Sequence, residues 1–188
     1  MKGDWQKLRI FYKLKDIYMN NHVGSRKESS AEHTWSTLIL ADYFMDIMQE
    51  KLNRQRVYEL LIYHDVVEIE ANDTILDPAN HVPKHVQQEK EMNAVKSIAQ
   101  KLPNNSANKL LEAFNELEEE KTREAKFALA VDKLDAIIHE VDYKEDWKGW
   151  TEEFLRDKKE HYFKEFPEIH EAFEEMMIYF RKHGYFKQ

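Results

Sequence analysis

The sequence predicts an all-α, single-domain protein, and three observations carry that expectation. Turn-makers are scarce: only 4 glycines and 4 prolines occur in 188 residues, a usage that suits long helices better than a sheet. Apolar residues recur at three- and four-residue spacing, the mark of a helix with one buried face. No run alternates with period two over the length of a strand. At 42% hydrophobic residues, the chain has enough apolar material for a packed core.

The elements follow in order. Leu8, Phe11, Tyr12, Leu14 and Ile17 lie at helical spacing between Trp5 and Ile17. The stretch from Asn20 to Ser25 reads as a loop. Ser29 with Glu32 three residues later forms a capping-box pattern, so a second helix starts there and runs through Leu38, Leu40, Phe44, Ile47 and Met48 to about Lys51. A third helix spans Asn53 or Arg54 to about Glu70. Pro78 and Pro83 break the chain, and Pro83 suits the first turn of a fourth helix that ends near Lys101. Helices from about Ser106 to Glu120 and Thr122 to Tyr143 come next. The last third is rich in aromatic residues from Trp147 to Phe180, which fits packing and leaves a homodimer open.

Composition excludes several classes. There is no cysteine, so disulfide scaffolds, cysteine–zinc clusters and thiol catalysis are ruled out. No apolar run reaches membrane-spanning length, and the first residues lack a signal-peptide core, which makes the cytoplasm the expected location. The net charge is −8 and no dense basic run occurs, which argues against a nucleic-acid surface. An acidic chain that binds a phosphate must supply positive charge locally, from a metal or a few placed cations.

Four residues stand out against apolar helical stretches: His33, His64, Asp65 and Asp132. His33 aligns with Thr37, Leu40 and Phe44 on an inward face. Asp132 follows Ala125, Ala128 and Leu129 and precedes Ala136, so small residues leave room for something to approach it. A buried carboxylate or imidazole needs a partner, and two of each, if they converge, make a divalent-metal cage. Taken singly, each is more often a packing residue held by hydrogen bonds. Glu68, one turn after His64, and Asp73, just past the helix end, add two further acids to the same region.

The ordered segments Arg26–His33, Tyr63–Glu68, Asn72–Asp73 with Pro78 and Val82–Lys84, and Val131–Ala136 resemble the motifs of the HD-domain metal-dependent phosphohydrolases, in particular the 5′-deoxynucleotidase branch. The resemblance implies a single-domain HD-domain helical bundle with core motifs at about 14–140 and C-terminal helices, 141–188, packed on that core. It implies that His33, His64, Asp65 and Asp132 hold one divalent metal, and that Glu68 and Asp73 flank the attacking water and the substrate. Arg26 would sit near the mouth of the site, in a substrate-binding or structural role. Asn72 stands where the branch usually has Gly; Asn tolerates left-handed backbone better than most residues. The stretch Met19–His22 carries no Arg where the branch has one, which leaves the exact substrate open.

Imidazole and carboxylate ligands suit Mn, Co, Fe, Ni or Zn better than Ca. Such an ion lowers the pKa of bound water and offsets phosphoryl charge. Glu68 is then the candidate base, with Asp73 orienting the water or protonating the leaving oxygen. Lys84 is a candidate phosphate partner, with an ordinary solvated lysine as its alternative. Lys133 is expected to point away from Asp132, because adjacent helix residues do not share a face; Asp135 is expected to stand behind the ligands. His81 and His85 are expected on the loop surface. The expected reaction is hydrolysis of a small phosphorylated substrate, nucleoside 5′-monophosphates first. The alternatives are another HD enzyme, either a nucleotide polyphosphate hydrolase or a di-iron oxygenase, and a non-catalytic metal or nucleotide sensor.

Overall fold

A computed structural model describes residues 3–74, 76 and 82–186. Ten α-helical segments and a single two-stranded hairpin are seen among them. α1 (Asp4–Leu8) runs into a 3-10 turn over Arg9–Asp16. β1 (Tyr18–Val23) and β2 (Arg26–Ser29) pair antiparallel, with His22 opposite Lys27 and Val23 opposite Arg26. The expectation of no strand is corrected at this hairpin. Its sequence lacks alternation because tertiary bonds hold it. The His22 ring meets the Asp146 carboxylate at 2.7 Å, and the His22 carbonyl accepts from His139 Nε2 at 2.7 Å. Gly24, at φ +60°, takes the first turn position, where a side chain would be strained.

α2 (Ser30–Ile47) opens with the full capping box. The Ser29 hydroxyl accepts from the Glu32 amide, and the Glu32 carboxylate accepts from the Ser29 amide. α3 (Arg54–Tyr63) is capped by the Asn53 side chain, which accepts from the Arg56 amide. The helix expected to continue to Glu70 instead tightens into a 3-10 turn over His64–Val67 and resumes as α4 (Glu68–Ala71). Asn72 ends it at φ +56° and ψ +157°, which is positive-φ backbone as at a Gly but not the left-handed helical conformation expected of Asn. Pro78 and His81 lie outside the described residues.

α5 (Lys84–Lys101) and α6 (Asn104–Glu119) pack on each other. α7 (Arg123–His139), capped by Thr122, lies against α2 and α3 and buries Phe127, Val131, Leu134 and Ile137. Short segments follow: α8 (Glu152–Leu155), a wide π-helical turn over Arg156–Glu160, and α9 (His161–Phe163). α10 (Pro167–His183) closes the bundle with Pro at its start and Gly184 in left-handed backbone after its end.

Trp147, Phe163, Phe166, Phe173 and Phe180 join the same buried cluster as Val57, Leu60 and Val131. Most of the C-terminal aromatics are therefore core, with Tyr179 left exposed on α10 beside Ile178. A group of exposed apolar side chains lies on α2, at Trp35, Ile39, Tyr43 and Ile47. No helix among the described residues is long and apolar enough to cross a membrane.

Candidate metal centre and its cavity

α2, the α3–α4 junction and α7 converge on one centre. His33 comes from the first turn of α2 and is buried; Nε2 lies 2.9 Å from Asp132 Oδ1, and Nδ1 lies 2.9 Å from Asp135 Oδ2. Burial opposes a charge on this ring, but the two carboxylates outweigh it and push His33 well above its usual range. Burial likewise works against the charged form of Asp132. Lys133, His33 and His64 together hold it well below the usual carboxylate range.

His64 and Asp65 are neighbours in sequence, and on a regular α-helix they would diverge. The 3-10 turn tightens the backbone there, and His64 Nε2 comes within 3.1 Å of Asp65 Oδ1 and 4.0 Å of Asp132 Oδ1. His64 Nδ1 donates to the Leu61 carbonyl at 2.6 Å. A carbonyl only accepts, so the bond fixes the tautomer and leaves Nε2 with a free lone pair.

The donor set fits a divalent ion. One ligand atom each from His33, His64 and Asp132 fall within 4.8 Å of one another. His64 Nε2 and Asp65 Oδ2 are buried with no hydrogen-bond partner. Buried polar atoms rarely stay unpaired, and a bound cation would satisfy both. Mixed imidazole and carboxylate donors suit first-row transition ions or Zn. A second grouping, Glu160, His170 and Glu174, is already drawn into ion pairs by Arg156.

The centre forms part of the wall of a cavity of about 670 Å³. Glu68 lines it one turn beyond His64, with Oε2 accepting from the Ser30 hydroxyl at 2.6 Å. Burial, then the Asp65 charge, pushes Glu68 up to about 9. Asp73 also lines the cavity, raised by burial and by Asp65. Lys84 lies on the rim, exposed at the start of α5. Arg26 is not among the lining residues. Its guanidinium forks onto Glu32 at 2.5 and 2.7 Å on the outer surface, where it braces the capping box.

Lys133 departs from the sequence expectation. Its Nζ lies 2.8 Å from Asp132 Oδ2 and it lines the cavity. Adjacent helix residues are about 100° apart rather than opposed, and a four-carbon stem reaches back across that angle. Asp135 stands behind His33 as expected, also accepting from the Ser36 hydroxyl at 2.8 Å. Lys158, Lys159, Glu140, Trp150 and Tyr162 complete the far wall. Sequence reasoning passed over the two lysines because Asp157–Lys158–Lys159–Glu160 reads as a solvated charge run, and it read Trp150 and Tyr162 as packing; only burial distinguishes Lys159.

A helical bundle that collects two imidazoles and two carboxylates from three separate elements at one cavity wall defines a class, the helical proteins built around a metal-ion centre. The chain belongs to the HD-domain family, whose model matches residues 13–175. Human 5′-deoxynucleotidase HDDC2 is 30% identical over 143 residues, covering 74% of this chain and 68% of that protein. The 5′-deoxynucleotidase hdd1 of Schizosaccharomyces pombe is 30% identical over 132 residues, covering 68% of this chain and 64% of that one. A predicted metal-dependent phosphohydrolase from Magnetospirillum magnetotacticum superposes with a TM-score of 0.82 at 25% identity, over 98% of this chain and 94% of that one. An HD-domain phosphohydrolase from Listeria innocua shares the fold, with a TM-score of 0.64 at 20% identity, over 95% and 85% of the two chains.

Proposed function

We propose that this HD-domain protein is a metal-dependent phosphohydrolase that cleaves nucleoside 5′-monophosphates to inorganic phosphate and a nucleoside. One observation carries the reading: His33, His64 and Asp132 converge beside the unpartnered His64 Nε2 and Asp65 Oδ2, on a cavity that also holds Glu68 and Asp73. The relatives named 5′-deoxynucleotidases support the substrate class.

His33, His64, Asp65 and Asp132 would hold one divalent ion of the Mn, Co, Fe, Ni or Zn type. Such an ion makes water nucleophilic near neutral pH and offsets charge building on the phosphoryl oxygens. Glu68 takes the proton of the attacking water. Its raised affinity for protons suits a base, and a cation nearby restores its ionised form. As the new P–O bond forms and the ester P–O bond breaks, Asp73 gives its proton to the leaving 5′-oxygen. Lys133 and Lys84 face the phosphate oxygens and supply the positive charge that an acidic chain needs locally. Asp135 holds the His33 ring in place through Nδ1.

The test is release of inorganic phosphate from a panel of ribo- and deoxyribonucleoside monophosphates with Mn or Co added. Turnover of at least one member, with one ion per chain by elemental analysis, is the expected result. Two ions per chain would favour a binuclear enzyme, and no turnover anywhere would remove the reading. A homodimer is part of the same proposal; equilibrium sedimentation reads it directly, and a single monomeric species would remove that part.

A further inference from the structure

The far end of the cavity holds two charges, one buried and one half-buried, that the proposed chemistry leaves unused. Asp132, Ala136 and Glu140 line the cavity at four-residue spacing, so Glu140 stands about 12 Å from Asp132 along the helical rise. Lys159 lines the same end, carried by the π-helical turn Arg156–Glu160, and is only 9% exposed. Turns of this kind re-aim a side chain and recur at functional sites. The Lys159 ammonium makes one hydrogen bond, to the Lys133 carbonyl at 3.5 Å, the outer limit for such a bond. Glu140 is its strongest charged neighbour, yet the two form no ion pair within 4 Å, and no described side chain donates to the Glu140 carboxylate.

A third group is also unspoken for. Asn21 lines the cavity beside His22, the residue tied to His139 and Asp146, and its side chain is buried with Nδ2 lacking a partner. Buried polar groups left unpaired are costly. A ligand edge that donates to the carboxylate and accepts from the ammonium and the amide relieves the Asn21 amide and pairs both charges. Trp150 and Tyr162, half-buried in the same wall, give that edge flat apolar neighbours of the kind on which planar rings stack.

We propose that this end of the cavity reads the base of the nucleotide, with Glu140 accepting from a ring N–H and the amino group next to it, and with Lys159 and Asn21 donating to the ring carbonyl. The inference rests on the nucleotide reading above, which puts the phosphate at the Asp132 end. Two adjacent N–H donors next to a carbonyl are the pattern of guanine; adenine has an amino group where the carbonyl would be. The site therefore prefers guanine nucleotides.

Two measurements test it. The first is kcat/KM for deoxyguanosine 5′-monophosphate relative to deoxyribose 5-phosphate, which carries no base. The wild type favours the nucleotide by roughly tenfold or more, and Lys159→Met and Glu140→Gln each cut that ratio by roughly tenfold. The second is calorimetric binding of guanosine and adenosine, which carry no phosphate. Guanosine binds more tightly than adenosine, and each variant weakens guanosine binding alone. Should Lys159→Met fail to fold, Glu140→Gln carries both readouts. Equal affinity for the two nucleosides, or guanosine binding untouched by Glu140→Gln, overturns the inference. Guanosine binding that is lost in the variants, with no phosphate released from any ester, upholds it while removing the phosphohydrolase reading.

Discussion

His33 is clamped at both ring nitrogens, and its Nδ1 partner, Asp135, touches the candidate metal centre only through it. A carboxylate behind a ligating histidine sets its tautomer and aim, and losing it costs about 10- to 100-fold in metal affinity. Asp135→Asn should weaken metal binding by that factor in a chelator competition while the protein stays folded; unchanged affinity would show that Asp135 only packs. Glu140 makes a second residue-scale prediction. Burial pushes its carboxyl from 4.5 up to about 7, so the folded state holds its proton more tightly than the unfolded state. The stability linked to that proton is present below pH 4.5 and is lost as pH rises through about 7. Glu140→Gln removes the loss, so the variant should gain on the wild type over that window, by up to about 3 kcal/mol above pH 7 in urea titrations at fixed pH. A constant difference across pH would mean that Glu140 is not buried in the folded protein. At this scale, what could be read from sequence alone were polar residues isolated on apolar stripes: His33, His64, Asp132 and, one turn further on, Glu68. Lys159 was hidden because its neighbours are charged too.

Among elements, α2 was legible because its start is encoded locally. Ser29 and Glu32 satisfy each other's amides without help from the rest of the chain. Ser29→Ala should cost about 1 kcal/mol in chemical denaturation. It should also weaken metal binding, because Ser30 and His33 ride on that first turn; a stability loss with metal affinity intact would separate the cap from the site. The hairpin was illegible for the opposite reason. Its strands are stitched to His139 and Asp146, more than 110 positions away, and nothing in Asn20–Ser25 announces a strand. The break in α3 was hidden too: Tyr63–Glu68 continues the helical pattern, and the tightening at His64 shows only in the backbone. That tightening gathers an adjacent histidine and aspartate at one centre, so the irregular element carries the function.

For the whole molecule, charge and packing divide the labour. The chain is acidic overall at −8, yet Lys84, Lys133, Lys158 and Lys159 all face one cavity, which concentrates positive field where an anionic substrate enters. The aromatic C-terminal helices supply the support behind it. Phe173 is fully buried, 4.8 Å between ring centroids from Phe163, with the Arg156 guanidinium over its outer face. Both rings belong to the cluster that contains Val131 and Leu134, one residue before and two after Asp132. Removing the Phe173 ring opens a cavity in that shared core and should cost about 3–5 kcal/mol. Because the core is continuous, the loss cannot stay in the C-terminal third. In urea, Phe173→Ala should lower the midpoint without changing the slope, and helix content by far-UV circular dichroism should fall together with tryptophan fluorescence from Trp147 and Trp150. Metal binding should vanish in that same transition. An early step that releases the C-terminal helices while the metal stays bound would show two cores, with Asp132 held independently of Phe173.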